Sequence, residues 1–326
     1  MANILVTGGA GYIGNVISNM SLKNGHNVRV VDTLWFDRDI PLVNKDNPNY
    51  EFIEGDICDA GLVDRLLENI DFVVHTAAVV GEPATKKFPE LTRKINYQAS
   101  RDLIDRAEAI GIKGFIFLST CSNYGIAEGI ASEDTSLKPL SPYAETKVDV
   151  EKYIMEKGCS IDWVICRLST VYGTSPRMRF DLTVNDFTLN AYTKKFLDIF
   201  LPYTYRPYIH VSDVANAITN IVDKFDTVKN NVFNIGFQGE NHQKIQIAEA
   251  VKKYVPDVKI ELTDKGTDVR DYKVDFSKFK SYLGLSQKFT VEDGVKGVID
   301  MLDRNIINDP SEKKYYNTTP DIGALG

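Results

Sequence analysis

Tyr143 and Lys147 stand four residues apart in SPYAETK, Ser141 to Lys147, just after a Ser-Pro pair. Proline suits the first turn of a helix, and the following residues run on into VDVEKYIMEK with helical periodicity, so phenol and ammonium share one face. An ammonium beside a phenol favours phenolate and brings it toward use as a base. The same spacing also marks an ordinary solvated helix start. A second set is TGGAGYIG, with Gly8, Gly11 and Gly14 at GxxGxxG spacing where a strand meets a helix. Glycines there allow a tight turn and let backbone N–H groups approach a pyrophosphate. The next β-run ends in VVD and places Asp32 eighteen residues beyond Gly14. A carboxylate there can bind both hydroxyls of an adenine ribose and would repel a 2′-phosphate, which favours NAD over NADP. Arg38 is the opposing sign, since an arginine nearby could accommodate that phosphate.

The elements that must position these residues follow from patterning. Short β-branched runs (NILVT, VRVVD, YEFIEGD, DFVVHTAA, GFIFLST, IDWVICRLS) alternate with longer amphipathic ones, which predicts a parallel sheet wrapped by helices. After about Tyr172 the runs shorten, and we expect a Rossmann-like doubly wound domain over 1–172, a smaller α/β substrate-binding lobe over 173–308 with some elements returning to the first part, and a polar tail over 309–326, surface-hugging or loose. The 326 residues are 43% hydrophobic, enough for a real core. A net charge of −7 without a Lys/Arg block argues against a nucleic-acid binder. No membrane-spanning run appears, and Cys58, Cys121, Cys159 and Cys166 lack CxxC spacing, so free thiols in a cytoplasmic protein are expected. The four histidines are scattered, and no metal is expected.

Nearly end to end, the chain resembles the extended short-chain dehydrogenase/reductase family, in the NAD-dependent epimerase/dehydratase group that acts on nucleotide sugars. Beyond TGGAGYIG and Asp32, the resemblance rests on GDICD, HTAA, INYQAS, STCSNYG, YAETK, RLSTVYG, RPYIHVSDVANAI and NIG, in that order. It implies that Tyr143 is the catalytic acid/base, that Lys147 binds the nicotinamide ribose and lowers the phenol's pKa, and that Thr120 hydrogen-bonds the same substrate hydroxyl. Gly8, Gly11, Tyr12, Ile13, Asp32, Asp56, Ile57, Ala77, Ala78 and Asn96 would complete the NAD site, with Asn96 supporting the lysine through backbone and water. Arg206, Arg270 and Asn185 are similar to diphosphate-binding residues. Arg177 and Arg179 are further candidates near sugar or phosphate, and Ser122, Thr170 and Glu82 lie by the expected sugar site. A homodimer is implied.

Departures from the pattern bear on the reaction. Cys121 and Ser122 follow Thr120 where 4,6-dehydratases carry Asp and Glu, the acid and base of water elimination. Thr170 stands where many members have Asn. The expected activity is oxidation of the sugar C4 hydroxyl to a 4-keto intermediate with NAD, by a C4 epimerase in the first place. A C4 dehydrogenase or 4-keto reductase of a nucleotide hexose or heptose is the alternative, and a non-catalytic NAD-binding regulator the second.

Overall fold

The computed structural model describes residues 1–156, 160–263 and 270–317; Cys159 lies outside them. The strands of the first half are β1 (Asn3–Thr7), β2 (Asn27–Asp32), β3 (Tyr50–Glu54), β4 (Phe72–His75), β5 (Gly114–Thr120), β6 (Ile126–Ala131) and β7 (Trp163–Leu168). The second half adds β8 (Thr170–Tyr172), β9 (Phe196–Phe200), β10 (Tyr205–His210), β11 (Asn231–Ile235), β12 (Asn241–Gln243), β13 (Lys259–Thr263) and β14 (Asp271–Val274). Seven strands make one parallel sheet in the order β11-β7-β5-β4-β1-β2-β3. From β1 the chain steps outward through β2 and β3, then from β4 it steps the other way. The order therefore reverses between β1 and β4, and a crevice must open above their carboxyl ends.

Both faces of this sheet are covered, which is why its strands read as unbroken apolar runs. Ile4, Val6, Val28, Val30 and Val74 pack on one face against the helices Tyr12–Lys23 and Val211–Asp223. Leu5, Val31, Val73, Phe115, Phe117 and Ile165 pack on the other, against Ala60–Leu66, Ser100–Ile110 and Pro142–Glu156. Successive residues of β1 thus alternate between two cores, as the period of two demands.

The remaining strands form small sheets, β12-β10-β8, β13-β9 and β14-β6, beside the carboxyl edge of the large one. A third core of Tyr172, Val184, Leu197, Tyr208, Ile247 and Val251 holds that lobe together. Its chain is not segregated, because β11 and the helix Val211–Asp223 lie after the lobe's first strands yet belong to the large sheet's layers. The segment after Asp309 differs from a loose polar tail as far as it is described. Tyr315 and Asn317 are buried, Phe180 N donates to Tyr315 O at 3.0 Å, and the two rings meet edge to face at 5.7 Å. The apolar faces of KKYY drive this docking, although the polar composition around them conceals it.

Candidate functional site

The crevice at the switch point is one continuous cavity of about 560 Å³, running from the loop after β2 to the start of the small sheets. Its floor is the glycine turn. Gly8 sits at φ +67° and its N–H donates to Val31 O at 2.8 Å, a conformation that suits glycine. A Cβ on Gly14 would lie 2.3 Å from Gly8 O, and one on Gly8 would lie 2.7 Å from Ala77 Cα. The turn is therefore packed backbone on backbone. The helix Tyr12–Lys23 starts from Gly11 with no side chain capping its first N–H groups. Those donors and the positive end of the helix dipole are left for an anion.

Asp32 ends β2 and lines the cavity. Burial pushes its carboxyl up, while the N–H groups of Leu34 at 2.9 Å and Ala10 at 3.1 Å hold the charged form. Arg38, the residue that could have welcomed a 2′-phosphate, is exposed and grips Glu54 with bonds of 2.7 and 2.8 Å. β2 and β3 pair Asp32 with Glu54, which puts that carboxylate within the arginine's reach. Asp56, Ile57, Ala77, Ala78, Tyr12 and Ile13 also line the cavity. A cradle of close-packed glycines, an uncapped helix start and a carboxylate at the end of β2 fit a dinucleotide such as NAD.

Tyr143 and Lys147 come from the helix Pro142–Glu156, which begins at the proline as its sequence predicts, and both line the cavity. Lys147 is buried; its Nζ donates to Leu118 O at 2.8 Å and lies 4.6 Å above the Phe117 ring. Burial pulls its pKa down to about 7, with Glu151 opposing. Burial pushes the Tyr143 phenol up to about 12, and the guanidiniums of Arg179 and Arg270 act against this. Here the structure differs from the sequence expectation that Lys147 lowers the phenol. In this state the ammonium is drawn to the carbonyl beneath it, and two arginines of the lobe supply the positive field. Thr120 closes β5, and its Oγ1 accepts from Ser122 N at 3.1 Å.

Lys147 carries a measurable pH signature. A folded-state pKa of about 7 against 10.5 means that, between those values, the unfolded chain holds a proton the folded one lacks. Stability from this group therefore rises with pH across that window and is lost as pH falls toward 7. From pH 7 to 9, NAD-free wild type should gain stability relative to Lys147→Met, as read by urea unfolding; parallel curves would show that the lysine keeps its ordinary affinity for protons.

Asn96 and Asn185 do not line the cavity. Asn96 sits in a π-helical turn, Lys94–Ala99, where its carboxamide binds Val79 N at 2.7 Å and Val79 O at 2.9 Å and reaches Thr146 Oγ1 at 3.3 Å. It braces the loop after β4 against the Tyr143 helix, one residue from Lys147, instead of facing the cofactor. Asn185 is fully buried and spends its side chain on Gly173 N at 3.0 Å, Arg179 O at 2.9 Å and Tyr12 Oη at 3.3 Å. Its position departs from that of a diphosphate ligand, because the crossing of the lobe over the glycine turn uses its hydrogen bonds. The side chain of Glu82 lies outside the described part.

The other candidates converge on the lobe end. Ser122, Thr170, Arg179, Arg206 and Arg270 line the cavity together. Arg270 Nη1 donates to Ser122 Oγ at 3.0 Å, and Arg206 stacks 5.2 Å from the Tyr272 ring while donating to Arg270 O. Arg179 is already paired, with two bonds of 2.9 Å to Asp181. Sequence reasoning missed Phe36, Tyr272 and Asn317 in the cavity wall. The aromatic residues carry no local signal, and Asn317 belongs to a stretch without periodicity. His75, at the end of β4, bridges Thr7 Oγ1 at 2.7 Å and Ser100 Oγ at 2.8 Å; burial lowers its pKa to about 3, so it serves the scaffold as a neutral ring.

Comparison with known proteins agrees with this geometry. Residues 4–236 match the model of the NAD dependent epimerase/dehydratase family. An uncharacterized UDP-glucose epimerase, YtcB, of Bacillus subtilis is 34% identical over 233 residues, covering 68% of this chain and 72% of that protein. The Arabidopsis thaliana trifunctional UDP-glucose 4,6-dehydratase/UDP-4-keto-6-deoxy-D-glucose 3,5-epimerase/UDP-4-keto-L-rhamnose-reductase RHM1 is 30% identical over 93% of this chain, which spans 47% of that longer protein. Among solved structures, a UDP-glucuronic acid 4-epimerase from Bacillus cereus in complex with UDP-glucuronic acid and NAD superimposes with a TM-score of 0.85 at 27% identity, over 93% of this chain and 99% of the other. The parallel sheet, the glycine turn and the cavity at the switch point are thus those of a known group, and the chain belongs to the NAD-dependent epimerase/dehydratase family.

Proposed function

We propose that this enzyme is a C4 epimerase of a nucleotide sugar, working through a 4-keto intermediate. The observation that carries the reading is the composition of the lobe end of the cavity. Cys121 is buried, its thiol is directed at Arg167 O at 3.2 Å, and burial pushes its pKa far up. Ser122 is engaged with Arg270. The carboxylates lining the cavity, among the described residues, are Asp32, Asp37, Asp56 and Asp181. The first belongs to the ribose position, Gly55 N bonded to Asp32 O brings Asp56 beside it, and Asp181 is held by Arg179. Elimination of water across C5 and C6 needs an acid and a base besides Tyr143, and the carboxylate that the described residues place nearest this end, Asp181, is held by Arg179.

What it does offer is a phenol, a hydroxyl and two cations. Thr120 and Tyr143 hold the C4 hydroxyl, and Tyr143 as phenolate takes its proton. NAD, when bound, supplies the acceptor for the hydride that leaves C4. Arg206 and Arg270 receive the substrate diphosphate; before it binds, Arg270 together with Arg179 favours the phenolate form of Tyr143. Return of the proton from Tyr143, with hydride delivered to the other face of the keto sugar, gives the epimer. The same residues would also serve a C4 dehydrogenase if the keto sugar departs first.

The test is mass spectrometry of products from UDP-, dTDP-, GDP- and CDP-sugars incubated with the enzyme and NAD, with absorbance of reduced nicotinamide followed in parallel. A product of unchanged mass and new retention, without accumulated NADH, is expected. A product lighter by two hydrogens would replace the epimerase reading with the dehydrogenase one, and a product lighter by one water would overturn both.

A further inference from the structure

Arg177 is a buried cation with no carboxylate in ion-pair contact among the described residues. It is 3% exposed, and its Nε has no hydrogen-bond partner among the described residues. Of the other buried arginines, Arg167 is paired with Glu151 and Arg206 donates to the carbonyls of Tyr205 and Arg270, while the less buried Arg179 is paired with Asp181. Arg177 is nonetheless held firmly. Its guanidinium lies 4.1 Å from the centre of the Phe36 ring, and its Nη2 donates to Asn317 Oδ1 at 2.6 Å. All three residues line the cavity. Asn317 is itself fixed, since its N–H donates to Asp181 Oδ2 at 3.1 Å and its Cβ would be 4.0 Å from a Cβ on Gly81. Asn317 therefore links Arg177 to Gly81 in the loop after β4.

A guanidinium taken out of water and left unpaired costs several kcal/mol, so its retention calls for an anion that arrives later. The neighbours say which anion. Arg177 acts electrostatically on Asp32 at the end of β2, and its stacking partner Phe36 lies in the loop that follows that strand; Tyr12 feels both Arg179 and Arg177, and Tyr143 feels Arg179 and Arg270. Arg177 thus stands over the cofactor half of the cavity and away from the reacting end. Asp32 makes a 2′-phosphate unwelcome there. We propose that Arg177, stacked on Phe36 and steered by Asn317, is a ligand for the diphosphate of NAD, so that the segment Tyr315–Asn317 is part of the cofactor site. The diphosphate is then met from below by backbone N–H groups and from above by a charged fork.

Equilibrium binding tests this without turnover, and so independently of which sugar is processed. Full-length protein stripped of nucleotide is titrated calorimetrically with NAD, ADP-ribose and adenosine. In Arg177→Met, NAD and ADP-ribose should bind about 10–100-fold more weakly, the range of one charged hydrogen bond, while adenosine changes by less than about threefold. Arg177→Lys should keep part of the affinity, and Asn317→Ala should lose about three- to tenfold with the same ranking of ligands. The nucleotide-free Arg177→Met protein should melt no lower than wild type, since the variant removes an uncompensated buried charge. Unchanged NAD affinity, or an equal loss toward adenosine, overturns the assignment. So does a lowered melting point shared by Arg177→Met and Arg177→Lys, which would mark a structural role. Weakened UDP binding by NAD-loaded protein, with NAD affinity intact, overturns it in favour of the substrate's diphosphate.

Discussion

Tyr143→Phe is expected to lower kcat by about 10²–10⁴-fold, the usual contribution of a positioned acid/base, and to leave NAD affinity within about threefold of wild type. The substitution removes one hydroxyl and keeps the ring, so the cavity wall retains its shape. On the proposed assignment NAD affinity rests on the glycine turn and Asp32, which line the same cavity and are left intact. The pH dependence adds a second readout. Burial raises the phenol to about 12 in the NAD-free protein, and the opposing field comes from Arg179 and Arg270. Removing the charge of Arg270, as in Arg270→Met, should shift the basic requirement of kcat/KM to higher pH. Turnover of Tyr143→Phe within tenfold of wild type would sink the assigned acid/base, and Thr120 or a bound water would have to take the proton.

The second large effect concerns stability. Glu151 lies one turn beyond Lys147 on the same helix and is fully buried. Its carboxylate accepts from Arg167 Nη2 at 2.7 Å and Nε at 3.1 Å, from Asn123 Nδ2 at 2.9 Å, and from Ser119 Oγ. Arg167 Nη1 continues to Tyr124 Oη and to Glu133 O, both at 3.0 Å, and Tyr124 Oη donates to Asn234 Oδ1 at 2.7 Å. One buried network therefore ties the Tyr143 helix to β5, β7 and β11, with Asn123 Oδ1 its one atom left without a partner among the described residues. Glu151→Ala leaves a guanidinium buried without its partner and should cost about 3–5 kcal/mol in urea unfolding. Glu151→Leu combined with Arg167→Met should recover most of that loss, because the expense lies in the broken pair more than in the absence of charge. A loss below about 1 kcal/mol for Glu151→Ala would mean that water reaches the arginine. Since Glu151 also opposes the burial effect on Lys147, its removal should lower the lysine's hold on its proton further.

What could be read along the chain was what depends on neighbours in sequence. Gly8, Gly11 and Gly14 mark a turn by spacing alone, Asp32 follows from the end of the next strand, and Pro142 announces the helix that carries Tyr143 and Lys147. Residues whose use is decided by distant partners were harder. Asn185 looks available in LTVNDF, but it is consumed by Gly173 and Tyr12, which only the folded chain brings near. Arg38 and Glu54 meet because β2 and β3 are neighbours, a relation no local pattern records. Arg177 and Arg179 are two residues apart and chemically identical, yet one is paired with Asp181 and the other stacks on Phe36 and donates to Asn317. Asn317 had no signal at all, because burial of Tyr315 against Phe180 decides its position.

The late return of β11 has a consequence for biosynthesis. A ribosome that has released residues up to β7 has supplied six of the seven strands, and β7, WVICRL, stands at the open edge, apolar on both faces except for Arg167. Such an edge is a template for pairing with another chain, and it stays open while some sixty further residues are made, at the usual rates of synthesis several seconds or more. Fragments ended at the apparent domain boundary near Tyr172 would keep that edge permanently and should aggregate, whereas chains reaching Ile235 can cap it with a strand of their own.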